Sequence, residues 1–191
     1  MEDGTNSSST ARYHAVRFYD TDKSLSQIVA GFVRDGLVTG EPAIIVATPA
    51  HRAAILRELV GKGVDVVQLQ RSDELMLFDA EELLSTFIVD RQPDEAKFET
   101  SMSKVIQRAC RARPDCTVRI YGEMVDVLWK DGNYRAAIRL EMLWNQLANT
   151  QAFSLLCGYA MGQFYKEAAL HEVCGQHTHL VSADGKLVAV A

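Results

Sequence analysis

No C-x-x-C pair occurs among the four cysteines of this 191-residue chain, so Cys110, Cys116, Cys157 and Cys174 are expected as buried or idle thiols rather than disulfides. No apolar run reaches the ~20 residues needed to cross a bilayer, and no membrane partner is expected. Residues 1–11, MEDGTNSSSTA, lack the basic start and apolar centre of a signal peptide, which makes the cytoplasm the expected location. There is no run of Lys or Arg interleaved with aromatics, which argues against direct contact with nucleic acid. The patterns G-x-S-x-G, H-E-x-x-H and G-x-G-x-x-G are absent as well, and with them the signatures of hydrolase, metalloprotease and dinucleotide sites. No catalytic residue, cofactor or metal is therefore expected.

What is there reads as an ordinary globular domain. Hydrophobic residues make up 48% of the chain and charged ones 24%, with a formal net charge of −5, enough apolar material for one substantial core. Residues 1–12 read as a disordered polar segment and 13–191 as a single domain. His14 to Asp20 has strand composition, and Ser24 to Leu37 carries apolar residues on one helical face. Pro42 to Thr48 is a continuous apolar strand followed by a helix over His51 to Val60. Val64 to Gln70 reads as a third strand, Leu75 to Phe78 as a fourth, and Ala80 to Val89 as a helix. Pro93-Asp94 opens a helix running to about Arg111, and Thr117 to Tyr121 is a further buried strand. Helices are expected at Glu123 to Trp129, Tyr134 to Leu147 and Gln163 to Val173. Phe153 to Tyr159 is the last core strand, and Thr178 to Val190 reads as a hairpin around Ala183-Asp184-Gly185. The alternation predicts an α/β fold with a mainly parallel central sheet, helices on both faces and ligands beyond the C-terminal strand ends.

The strand-turn-helix AIIVATPAHRAAIL stands where such folds hold phosphate. Its turn, Thr48-Pro49-Ala50-His51-Arg52, has no glycine, and Pro49 removes a donor, so the chemistry of a triphosphate site is missing. Arg52 remains as an anion candidate. In Tyr121-Gly122-Glu123 a buried strand delivers Glu123 into a helix start, either as a cap or as an acceptor facing the crevice. Glu141 and Asn145 lie one turn apart on one helical face. A Glu bordered by core residues needs a partner, for which Arg119 and Arg139 are the structural candidates. Trp129, Trp144, Tyr121, Tyr159 and Phe164 are read as core aromatics or as an apolar lining, and Cys157 as an inert thiol facing the same crevice. Cys174-x-x-His177-x-His179 matches no closed zinc spacing.

The blocks HAVRFYD, GLVTGEPAIIVATPAHRAAI, LMLFDAEELLSTF, VRIYGEMVDVLWKDGNYRAAIRLEMLWNQL and FSLLCGYAMGQF, in that order, resemble the MEDS family, the methanogen/methylotroph sensory domain, over roughly residues 13–179. The resemblance implies a signal-input module, found alone or joined to histidine kinase or DNA-binding domains, that senses small molecules such as hydrocarbon derivatives. It also implies a three-layer RecA/KaiC-like fold whose phosphate loop has degenerated, with Thr48, His51 and Arg52 replacing the loop residues and Glu123 following the strand that normally ends in a metal-binding Asp. The expectation is a non-enzymatic module that binds a small ligand through Glu123, Glu141, Asn145, Tyr121, Trp144 and Tyr159. Its output would pass to a histidine kinase or another regulatory protein, and the habits of related ATPase folds leave self-association open. The alternatives are a nucleotide-binding or weak ATPase module and a ligand-free partner-switching adaptor.

Overall fold

In the computed structural model, which describes residues 12–111, 113, 115–163 and 167–190, the apolar segment HAVRFY forms β1 (His14–Tyr19). The helix α1 (Asp22–Val38) follows, capped by the Thr21 side chain on the Ser24 N–H. Next come β2 (Ala43–Ala47), buried at every position, and α2 (Pro49–Gly61), whose first residue is a proline that has no N–H to leave unpaired. After α3 (Val66–Arg71), β3 (Leu75–Asp79) and α4 (Ala80–Ser85), a two-stranded ribbon of β4 (Ile88–Val89) and β5 (Gln92–Pro93) leads into α5 (Glu95–Cys110). The second half contributes β6 (Val118–Gly122), α6 (Met124–Lys130), α7 (Tyr134–Leu147) and β7 (Phe153–Ala160). It ends with α8 (Glu167–Cys174), β8 (His179–Val181) and β9 (Leu187–Ala189).

The seven-stranded sheet runs in the order β3-β2-β6-β7-β1-β8-β9. Every pairing is parallel except the final β8–β9 hairpin. Alternate strand residues feed two cores. Ala15, Ile45, Tyr121 and Leu156 pack beneath α1 and α2, whereas Val16, Ile120, Leu155, Cys157 and Tyr159 pack beneath α4 to α7.

Three expectations fail locally. Within the expected strand Val64 to Gln70 the chain forms α3 from Val66 onward, because the Asp65 carboxylate caps the Gln68 N–H. The helix after Ala80 stops at Ser85, and the chain reverses through Asp90 and Arg91, both at positive φ, so that Ile88–Val89 pairs with Gln92–Pro93. Cys110 and Cys116 form a disulfide, with Cα atoms 5.6 Å apart. Spacing and compartment arguments missed it because the left-handed Arg111 (φ 49) folds the chain back at the end of α5. The expected disordered segment, apart from Arg12, lies outside the described residues, as does Phe164.

Between α1 and β6, Gly36 faces Arg119. A Cβ at Gly36 would lie 2.4 Å from the Arg119 Cγ. The arginine cannot swing away freely, because its Nε donates to Glu41 Oε2 at 2.6 Å and its guanidinium lies 5.1 Å over the Phe32 ring. Gly36→Ala is expected to destabilise the fold by about 1–3 kcal/mol in urea denaturation. A loss below about 0.5 kcal/mol would show that the Arg119 stem yields at no cost.

Candidate functional site

Parallel pairing of β2 and β6 aligns Val46 with Gly122, which sets the residue that follows β6, Glu123, beside Thr48, the residue immediately before α2. The Glu123 N–H donates to the Val46 carbonyl at 3.1 Å. Its carboxylate then turns back across the strand ends. Oε1 accepts the Thr48 N–H at 2.5 Å, and Oε2 meets His51 Nδ1 at 2.7 Å and the Tyr121 hydroxyl at 2.9 Å. The other ring nitrogen of His51 is 3.2 Å from Asp22. Hydrogen bonding to Glu123 raises the His51 pKa above its ordinary value in spite of burial. Burial pushes the Glu123 carboxyl up, but His51 and the Thr48 N–H together hold it below the usual range. A buried carboxylate thus sits at the N-terminal end of α2, where the helix dipole favours negative charge.

The same edge carries a second acid. Asp126 accepts the Tyr19 hydroxyl at 3.0 Å and the Ala160 N–H at 3.0 Å, and pairs with Lys130 at 2.7 Å. Burial and then Asp126 push the Tyr19 hydroxyl far above its ordinary pKa, so it keeps the proton it donates to Asp126 while its oxygen accepts from Lys130 Nζ at 3.4 Å. Arg52 does not reach this row, because its guanidinium is bound to Asp79 at the end of β3 (3.0 Å).

Glu141 belongs to the opposite face of the sheet. Fully buried in α7, it accepts the Tyr159 hydroxyl at 2.8 Å and the Cys157 thiol at 3.4 Å. His14 Nε2 lies 3.2 Å and His177 Nε2 3.4 Å from its two oxygens. Burial raises the Glu141 carboxyl, yet the imidazoles of His177 and His14 hold it well below the carboxylate range. Burial and then Glu141 push the Cys157 thiol up. Beyond this ring of contacts, Asn145 Oδ1 is 2.8 Å from His14 Nδ1, and the Asn145 amide donates to the Gln176 carbonyl at 2.9 Å.

The expected single crevice is therefore two clusters. Tyr121 and Glu123 share one, while Glu141, Asn145, Cys157 and Tyr159 share the other beneath α7. Trp144 is core, wedged edge-on against Phe98 and Phe153, and Trp129 packs against Tyr134 and Tyr159. The proposed arginine partners of Glu141 are engaged elsewhere, Arg119 with Glu41 and Arg139 with Glu95. Of the Cys174/His177/His179 group only His177 joins a cluster; His179 contacts Thr178 and Tyr13. Sequence reasoning missed His14 and Asp126. His14 carries no local signal, whereas Asp126 lies three residues beyond Glu123 and could have been read as a second strand-end acid.

A groove of about 670 Å³ opens elsewhere, between α1 and the β8–β9 hairpin. Tyr13, Ile28, Phe32, Leu156, Val181 and Leu187 supply its apolar walls, and Arg119, Asp35 and Asp184 its charged groups.

Among solved structures, a KaiC-like protein from the hyperthermophilic archaeon Pyrococcus horikoshii OT3 is similar with a TM-score of 0.57 and 14% identity, over 88% of this chain and 70% of that one. At that identity the likeness concerns the fold, which is RecA/KaiC-like. No curated protein matches the chain. The family model described as MEthanogen/methylotroph, DcmR Sensory domain matches residues 13–178, and with nearly all of the described residues inside that match, the chain belongs to the MEDS family.

Proposed function

We propose that this MEDS chain is a non-enzymatic sensory module that binds a small organic molecule and reports its state to a regulatory partner protein, with a histidine kinase as the partner class the family suggests. The observation that carries this reading is the Glu123 carboxylate on the Thr48 N–H, locked by His51. The β2–α2 turn is where a KaiC-like ATPase would cradle phosphate. A phosphate arriving there would meet a carboxylate that already holds the donors, with no lysine to offset the repulsion and Arg52 tied to Asp79.

For the ligand, the groove beside α1 offers what the strand ends do not. Its volume falls within the ~300–1,000 Å³ range of small-molecule sites, and apolar walls suit a hydrocarbon derivative. One wall is the terminal hairpin, so occupancy would bias a surface element that a partner can read, provided the ligand binds one hairpin arrangement better than another. Native mass spectrometry of the purified chain tests the reading. A retained organic mass that disappears in Ile28→Trp, which fills the groove, is the expected result; a retained nucleotide would overturn it.

A further inference from the structure

His14, Cys157, Glu141 and His177 come from β1, β7, α7 and the turn before β8, and all four are buried. One ligand-type atom from each lies within 4.8 Å of all the others. The close approaches are 3.2 Å for His14 Nε2 to Glu141 Oε2, 3.4 Å for His14 Nε2 to Cys157 Sγ and 3.4 Å for Cys157 Sγ to Glu141 Oε2, which together outline one face, while His177 Nε2 lies 3.4 Å from the other carboxylate oxygen, Oε1. A tetrahedron built on Zn–N and Zn–O bonds of ~2.1 Å and a Zn–S bond of ~2.3 Å has edges of about 3.3–3.6 Å.

The hydrogen bonds behind the two histidines decide which way their lone pairs point. His177 Nδ1 is 2.8 Å from the Val173 carbonyl, which can only accept, so this nitrogen carries the proton. His14 Nδ1 faces Asn145 Oδ1, and that amide's orientation is fixed because its NH2 donates to the Gln176 carbonyl. With Nδ1 of each ring occupied in this way, both imidazoles turn Nε2, the nitrogen a metal would use, towards Glu141, and that of His14 also towards the Cys157 sulfur. His177 Nε2 is buried and makes no hydrogen bond among the described residues. Ligand histidines held through Nδ1–H by a carbonyl or amide oxygen are the usual outer shell of a metal site.

The donor set also balances in charge. A divalent ion with one thiolate, one carboxylate and two neutral imidazoles sums to zero, which a dry interior tolerates. We propose that His14, Cys157, Glu141 and His177 form a closed four-ligand site for a divalent transition-metal ion, zinc by its donor set. On binding, the Cys157 thiol releases its proton to solvent and its sulfur takes up the bond to the metal, while the Tyr159 hydroxyl keeps Glu141 Oε1 oriented. The ion joins the central strands to the segment that leads into the β8–β9 hairpin. With no open position left for substrate, its role is to hold that segment in place.

The test uses the full chain, purified in reducing buffer and dialysed against metal-free buffer. About one zinc per chain is expected by elemental analysis, with a Tm that falls on chelation and rises by about 5 °C or more when zinc is restored. Cobalt(II) added to the stripped protein should give a tetrahedral spectrum with a sulfur charge-transfer band, lost in Cys157→Ser and kept in Cys174→Ser. Less than about one-tenth of a metal per chain, together with a Tm unmoved by zinc, would overturn the site. So would a cobalt–sulfur band that survives in Cys157→Ser. If Cys157→Ser does not fold, the metal content and zinc-dependent Tm of the unmodified chain decide alone.

Discussion

Glu141→Ala is expected to cost about 3–5 kcal/mol, the range for removing one member of a buried ionic network. That is a large share of the ~5–15 kcal/mol that holds a typical domain together. The carboxylate is fully buried and accepts from or faces four groups: the Tyr159 hydroxyl, the Cys157 thiol, and the Nε2 atoms of His14 and His177. Truncation takes the shared carboxylate from all four in a place water does not reach, while the 3.4 Å contact of His14 Nε2 with Cys157 remains. Tyr159→Phe, which removes only one donor to the same carboxylate, provides the scale and should cost about 1 kcal/mol. Urea denaturation of both variants checks the ranking. If Glu141→Ala lost no more than Tyr159→Phe, the cluster would be a set of coincident neighbours and not a coupled unit.

The second large effect belongs to the strand ends and carries a pH signature. Glu123→Ala leaves the Tyr121 hydroxyl and the Thr48 N–H without their acceptor and His51 without its main counter-ion, for an expected loss of about 3 kcal/mol near pH 6. The His51 pKa is raised on folding, so its contribution is fully present below the ordinary histidine value and fades as pH rises through the folded one. The Glu123 pKa is lowered, so its contribution is present above the ordinary carboxylate value and fades as pH falls through the folded one. The pair therefore contributes most between about pH 4.5 and pH 6.5. Asp22, largely exposed, adds little to it. The stability difference between the unmodified chain and His51→Gln, followed by denaturation across pH 4–9, should peak in that window and shrink above it. A difference that is flat with pH would mean that His51 never becomes an imidazolium in this site.

How far these clusters were legible in the sequence depended on how local their signals are. β2 could be read because AIIVA is apolar at every step, and α7 because its boundaries, Tyr134 to Leu147, coincide with an amphipathic period. The segment that became α3 could not, since Val64, Val66 and Val67 look like a strand until the Asp65 side chain is seen capping the Gln68 N–H. Glu123 was visible as the acid that ends a buried strand, but its partner His51 was read only as part of a degraded loop. The Glu141 cluster was half visible. Glu141 and Asn145 fall one turn apart on a helix, yet His14 lies 131 residues from Asn145 and 143 from Cys157, and only the parallel β1–β7 pairing brings it there. Pattern within one element can show that a buried carboxylate needs a partner. It does not show which strand start, across the sheet, supplies one.

In the proposed reading the Glu123 carboxylate fills the position of a phosphate cradle, and the chain senses a ligand in place of hydrolysing nucleotide. Calorimetric titration of the purified chain with ATP and magnesium tests it most directly. No heat of binding up to millimolar nucleotide is predicted. Saturable binding with a micromolar Kd, abolished by Arg52→Ala, would contradict the account, because Glu123 and Asp79 would then have to release the turn and its arginine to phosphate.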